Sequence, residues 1–113
     1  DGLALEEIDY AAVARDQISD QLKSEGIPQV RADIQQTLKS LPEESKVAQR
    51  ATKLLGDLDA LQRRLEAAEQ RGISEWIADR EAAAGLITGL QRMRWEVKIE
   101  ALLLAADAQA GGQ

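Results

Sequence analysis

The sequence of 113 residues contains no cysteine and no histidine, and its aromatic residues are limited to two Trp and one Tyr. The lack of Cys excludes disulfides, thiolate nucleophiles and sulfur-ligated metals. The lack of His removes the commonest general base and the commonest metal ligand. Acid–base chemistry would depend on carboxylates, and the acidic clusters fall on polar helix flanks, which is typical of solvated surfaces. We predict that the protein is not an enzyme and has no catalytic residue, cofactor or metal site.

Positive charge is also scarce. The chain has 14 Lys and Arg against 20 Asp and Glu, a formal net charge of −6, and is therefore acidic. Proteins that bind nucleic acid without sequence preference neutralise its phosphates with an excess of basic residues. The basic and aromatic stretch Arg92-Met93-Arg94-Trp95 is interleaved with acidic residues, since Glu96 follows it directly. We therefore predict no nucleic-acid binding.

Long hydrophobic runs are missing too. The uncharged stretch at residues 82–91 has about half of the roughly 20 residues that a membrane-spanning helix needs. We predict no direct membrane insertion in this segment. The chain begins with Asp1-Gly2 rather than Met, from which we expect an excised domain or a processed mature form. The sequence allows both a cytoplasmic and an extracytoplasmic location.

The residues that are present favour helices. The hydrophobic fraction of 44% and the charged fraction of 30% are those of a globular protein, and the length is that of one domain. Ala, Leu, Gln, Glu and Arg are strong helix formers, and Gly and Pro cluster at a few places. We predict a single all-α domain over residues 1–113, with helices at about 3–24, 28–39, 42–71 and 75–108 and a flexible tail at 109–113.

Local signals set these boundaries. Gly26 ends the first helix, and Pro28 suits the first turn of the second. Ser40 and Glu43 have the spacing of a capping box for the third helix, with Pro42 in its first turn. Gly72 ends that helix, and Ser74 can cap the fourth.

The third helix carries the most regular pattern. Its apolar residues recur at alternating spacings of four and three, which predicts a coiled-coil-like seam. The seam consists of Val47, Ala51, Leu54, Leu58, Leu61, Leu65 and Ala68. We predict an antiparallel bundle of three to four helices built on a long hairpin of the third and fourth helices. The first two helices lie along the hairpin as one broken leg, or else the second and third join through a kink at Pro42.

The fourth helix has more apolar residues than one face can hold. One stripe faces the core and contains Leu86, Ile87, Leu90, Met93, Val97, Ala101 and Leu104. Ile77, Trp95, Ile99 and Leu102 lie nearly opposite, and burying the last three would gain roughly 5–9 kcal/mol. We predict that these four residues contact a partner. That partner is another helix of the same chain, a second copy in a homodimer, or a different protein.

Two further features of the helices are unusual. Ala78, Ala82, Gly85 and Gly89 form a line of small residues, from which we predict close packing of a neighbouring helix. Arg15 lies in the apolar stripe of the first helix and Arg94 at the edge of the fourth helix's core stripe, so both are candidate buried charges. Each extends to the edge of the bundle, or meets a carboxylate ligand or a partner's acidic residue.

These patterns leave two functional hypotheses. The first is a non-catalytic helical module for protein–protein interaction or assembly that acts through its apolar helix faces. The alternative is an extracytoplasmic ligand-sensing bundle of a membrane receptor, which the long antiparallel helices, the missing initial Met and Arg15 would suit.

Overall fold

The computed structural model describes residues 10–67 and 73–111. In these ranges the chain forms four helices and no strand: α1 (Tyr10–Ser24), α2 (Ile27–Leu38), α3 (Lys46–Glu66) and α4 (Ile73–Gly111). The predicted all-α helical bundle is confirmed. The predicted start of the first helix near residue 3 and the end of the third near residue 71 lie outside the described residues, as does Gly72.

The directions of the helices follow from the polar contacts between them. Arg64 near the end of α3 bonds to Asp79 near the start of α4, at 3.2 Å between Nε and Oδ1. Arg50 near the start of α3 pairs with Glu96 further along α4, at 3.4 Å. The helices α3 and α4 are therefore antiparallel, as predicted for the hairpin.

The first two helices run in the same direction as α4. Glu25, between α1 and α2, accepts a hydrogen bond from Gln91, and Asp33 in α2 pairs with Lys98 one to two turns further along α4. Both α1 and α2 contact α4. They form the predicted broken leg, parallel to α4, so the bundle has three legs and no kink at Pro42 joins α2 to α3.

The break between α1 and α2 lies at Gly26, as predicted. Gly26 has a φ of 70°, in the left-handed region that favours glycine. Its N–H bonds to the carbonyl of Lys23, and its own carbonyl accepts from Val30 in the first turn of α2. Pro28, which has no N–H to leave unpaired, occupies that first turn.

The predicted start of α3 is wrong. Ser45, not Ser40, is the N-cap, and its Oγ accepts a hydrogen bond from the N–H of Ala48 at 3.2 Å. The N–H groups of Ser40 and Leu41 bond to carbonyls three residues back, at the end of α2. Ser40 therefore belongs to the closing turn of α2, and α3 begins four residues later than predicted, at Lys46.

Two boundaries of α4 also differ from the prediction. The helix already includes Ile73, so Ser74 lies inside its first turn and is not the cap. It continues to Gly111, so the predicted end at residue 108 is wrong and residues 109–111 are helical; residues 112 and 113 lie outside the described part. Four of the seven helical residues after Leu104 are Ala, the strongest helix former, which explains the extension.

The core is built around α4, which contacts all three other helices. The largest fully buried side chains are Ile18, Ile27, Ile34, Leu58, Leu61, Leu90 and Val97. Ser45, at the start of α3, lies beside Glu100 of α4, with 3.4 Å between Oγ and Oε2. The last turns of α4 extend beyond this level, so Ala101 and Leu104 of the predicted core stripe are only partly buried.

Candidate functional site

The side of α4 that points away from the other helices carries large apolar residues. Trp95, Ile99, Leu102 and Leu103 are each 55–70% exposed, and we call these four residues the outer face. Ile77, at the other end of the helix, is about half-exposed on the same side. In the described part of the chain no helix covers this side, because α2 and α3 pack on adjoining sides of α4. Within the described part of the chain, the alternative in which its own helices bury these residues is therefore wrong.

A basic rim borders the outer face on the side of α2. Arg94 and Lys98 both bond to Asp33 in α2, with 2.7 Å between Lys98 Nζ and Asp33 Oδ2. The hydrogen bonds from Lys98 and Arg94 hold the pKa of the Asp33 carboxyl group below its usual value. Arg94 is half-buried and paired, so it is a charge at the bundle's edge.

The same two cations hold the indole of Trp95. Lys98 Nζ lies 5.2 Å and Arg94 Cζ 5.7 Å from the centroid of the Trp95 ring. These distances are within the range of cation–π attraction. The two contacts favour this orientation of the ring, although most of the ring is exposed.

An acidic rim borders the outer face on the side of α3. Glu96 pairs with Arg50, and Glu100 accepts a hydrogen bond from Ser45. The outer face therefore lies between a basic and an acidic rim, and contacts with α2 and α3 fix the position of both rims.

The line of small residues has a different environment from the predicted one. A Cβ atom at Gly89 would lie 3.6 Å from a methyl group of Leu54, so α3 packs close to this glycine. A Cβ atom at Gly85 would meet nothing within 4 Å, and Ala78 is exposed. The prediction of close helix packing is therefore wrong for Gly85 and Ala78, because the line follows the edge of the α3 contact. Ala82, further along that edge, is half-buried.

Arg15 lies at the mouth of a groove between the α1–α2 leg and α3, not in the core. The groove has a volume of about 460 Å³, with Leu22 and Leu58 at its floor and Lys23 and Arg31 also lining it. Arg15 is about half-exposed, and its Nε lies 3.4 Å from the carboxylate of the neighbouring Asp16. Ile18 and Leu22 are buried members of the predicted stripe, and Ala14, next to Arg15 in the helix, is buried as well.

Sequence reasoning missed one buried charge. Asp79 is almost fully buried on α4 and accepts a hydrogen bond from Arg64 of α3. The signal was present, because Asp79 lies four residues before the buried Ala83 and seven before Leu86, on the core stripe. Asp79 therefore helps to fix the register of the α3–α4 hairpin.

Residues 10–67 and 73–111 contain no group of three or more acidic side chains arranged to hold a metal ion. Of the helices described, none combines the length and the apolar character needed to cross a membrane.

Comparison with known proteins yields no match: no family model, no curated protein and no solved structure matches this chain.

Proposed function

We propose that this protein is a non-catalytic helical interaction or assembly module that binds a protein surface through the outer face of α4. The observation that carries the proposal is the exposure of four large apolar side chains in one patch. Covering them would gain roughly 4–7 kcal/mol, given the fraction of each that is exposed. Contiguous apolar patches of this kind on soluble proteins mark interaction sites.

The outer face is well prepared for binding. The opposite side of α4 is fully buried at Leu90 and Val97, so the helix backbone needs no further ordering when a partner binds. The two cations beside Trp95 restrict its ring in the same way. Association costs less entropy when the binding residues are already ordered, and Trp is among the residues that contribute most to interfaces.

The carboxylates support a structural role rather than a catalytic one. Asp33, Asp59, Asp79 and Glu96 each pair with an Arg or Lys of another helix. A general acid or base is most effective when its pKa lies near the working pH. The pKa of Asp33 moves in the opposite direction, downward from its usual value.

A photo-crosslinking experiment tests the proposal. A benzophenone amino acid replaces Trp95, and in the control variant it replaces Asp57, an exposed residue of α3. Both proteins are irradiated in an extract of the cells that produce the chain. We expect a protein adduct at position 95 that is absent at position 57 and is lost when Leu102→Asp is added. Equal yields at the two positions would refute the proposal.

The groove at Arg15 favours a second candidate function, the binding of a small anionic ligand by a sensing bundle. Three cationic side chains line the groove together with the carboxylate of Glu66. Arg15 and Arg31 pair with Asp16 and Asp59, whereas Lys23 has no acidic partner within 4 Å in the described part of the chain. Calorimetric titration with decanoate and with inorganic phosphate tests this function. Binding that is lost in Arg15→Gln with Lys23→Gln would support it, and no heat with either probe would refute it.

A further inference from the structure

The side of α4 that carries the outer face has two halves of different shape. Its C-terminal half carries the bulky Trp95, Ile99 and Leu102, and the segment just before Arg92 carries the small Ala84, Gly85 and Thr88, which are all exposed. Larger residues, Glu81 and Ile77, follow only nearer the N-terminus of the helix. The space around Gly85 is open, since an added Cβ would have no neighbour within 4 Å. An exposed glycine inside a helix weakens it relative to alanine, and no contact within the described part of the chain requires it.

We infer that the outer face is covered by a second copy of this chain, with the two α4 helices antiparallel; this inference rests on the proposed function and names its partner. A two-fold axis near Arg92 brings Trp95 over Thr88 of the second copy. The same axis brings Ile99 over Ala84 and Gly85. Each contact occurs twice, as in any two-fold interface, so bulky residues fill the space above small ones at both ends.

A parallel pair fits less well. It would place each residue against its own copy, with Trp95 on Trp95 and Gly85 on Gly85, which leaves a gap along the N-terminal half. It would also place Glu81 against Glu81, and like charges that face each other repel. In the antiparallel pair Glu81 lies opposite Leu102 and Leu103 of the second copy, away from the Glu81 of that copy.

The rims are also compatible with the antiparallel pair. The acidic rim lies on the α3-facing edge of α4. In the antiparallel pair, the rim of one copy lies beside the α3-facing edge of the other copy's α4, at a position nearer the N-terminus of that helix. That edge consists of the uncharged Ala82, Gly85 and Gly89. The one like-charge contact is between the two Arg92 side chains at the axis, and both are exposed and long enough to turn away.

The available area fits a reversible dimer. From Ile77 to Ala106 the helix presents a strip about 44 Å long and about 10 Å wide. Two such strips total about 880 Å², which is within the range of weak, transient complexes below about 1,200 Å². An interface at this lower limit dissociates on dilution, so the mass should depend on concentration.

Sedimentation equilibrium of the full chain over a range of concentrations tests the inference. Wild type should rise from the 12.3 kDa of one chain toward twice that mass. Gly85→Gln should raise the dissociation constant at least tenfold without lowering the thermal midpoint of the monomer, because the space at Gly85 is open. Gly56→Gln is the matched control, since Gly56 is exposed and equally open but lies on α3, and it should associate like wild type. A wild type that stays monomeric, or a Gly85→Gln that associates like wild type, would overturn the inference.

Single cysteines test the orientation, because the chain has none of its own. A disulfide needs Cα atoms about 4.4–6.8 Å apart. Ile99→Cys alone should not form a linked dimer, whereas its mixture with Ala84→Cys should. Self-linking of Ile99→Cys would overturn the antiparallel arrangement. Arg92→Gln should leave the dissociation constant unchanged or lower it, and an increase would contradict the position of the axis.

The two proposals fail in distinguishable ways. If position 95 crosslinks to a different protein while the wild type stays monomeric, the interaction module survives and the second copy is excluded. If position 95 crosslinks to nothing and the mass does not change, both are excluded.

Discussion

The same substitution at two leucines of one helix should change the stability of the protein by very different amounts. Leu90 and Leu102 both lie on α4, but Leu90 is fully buried and Leu102 is 70% exposed. We predict that Leu90→Ala strongly lowers the free energy of unfolding of the monomer and that Leu102→Ala barely changes it. The pair controls for residue type, helix and substitution, so only burial differs.

The expected difference is large. Truncating a fully buried leucine to alanine costs about 2–5 kcal/mol, because the lost contacts and the cavity both count. That is a major part of the roughly 5–15 kcal/mol by which a domain of this size is stable. For Leu102 only the buried minority of the side chain is lost, so the cost should stay below about 1 kcal/mol. With about 4 °C per kcal/mol for a chain of this length, Leu90→Ala should lower the melting temperature by roughly 8–20 °C.

The assay is urea unfolding, followed by circular dichroism at a concentration where the protein is monomeric. Both variants should keep the wild-type slope against urea, so that the shift in midpoint reports stability alone. The series is then repeated at high concentration. If the second copy covers Leu102, the cost of Leu102→Ala should grow with concentration, because association stabilises the folded state by mass action.

One result would refute the reasoning. If Leu102→Ala costs as much as Leu90→Ala at the lowest concentration, then Leu102 is buried within a single chain. The outer face would then be part of the protein's own core, and neither the interaction module nor the dimer would follow from its exposure.

Three further predictions concern the bundle that holds α4. Gly26→Ala should lower the free energy of unfolding by about 1–2 kcal/mol, because the φ of 70° at this position strains any side chain. Gly56→Ala, in an open helical position, should raise it by about 0.5–1 kcal/mol. Calorimetry that ranks the two variants in the opposite order would contradict this. Ser45→Ala should cost about 1 kcal/mol by removing the cap of α3, and Ser40→Ala should cost clearly less in the same urea assay. The lowered pKa of Asp33 means that its carboxylate adds stability at neutral pH, which is lost as the pH falls from about 4, where the unfolded group protonates, through the lower folded pKa. Asp33→Asn should therefore reduce the loss of stability on acidification, measured by circular dichroism between about pH 5 and pH 2, and an unchanged acid limb would count against the pairing.

Helix content, the α3–α4 hairpin and the break after α1 could be read from the sequence because their signals are local and strong, whereas the sequence leaves the place of α2 open between two arrangements. Gly26 and Pro28 fix a break at one place, and the four-and-three spacing from Ala51 to Leu65 fits only a helix with one buried side. The start of α3 could not be read in this way. Ser40 and Ser45 both suit an N-cap, and the choice depends on how far the closing turn of α2 runs, which the local residues do not determine.

For the candidate site, too, the sequence predicts some features and not others. The spacing of Trp95, Ile99 and Leu102 locates a second apolar side of α4 without showing what covers it. That outcome depends on how many helices surround α4 and on which sides they lie, a property of the whole chain. The small residues failed for a related reason, since a Gly at the right spacing marks a possible close approach, and only the position of Leu54 shows that Gly89 has one and Gly85 does not.

The two sides of α4 contribute to different free energies: the inner side to folding of one chain, and the outer side to the proposed association. Leu90 and Val97 contribute to the stability of a single chain, while Ile99 and Leu102 are mostly exposed and contribute little to it. Substitutions on the inner side should therefore change stability at every concentration. Substitutions on the outer side should change only the part of the stability that depends on concentration. A helix built in this way can gain, lose or exchange a partner by substitution at its outer side while the fold persists.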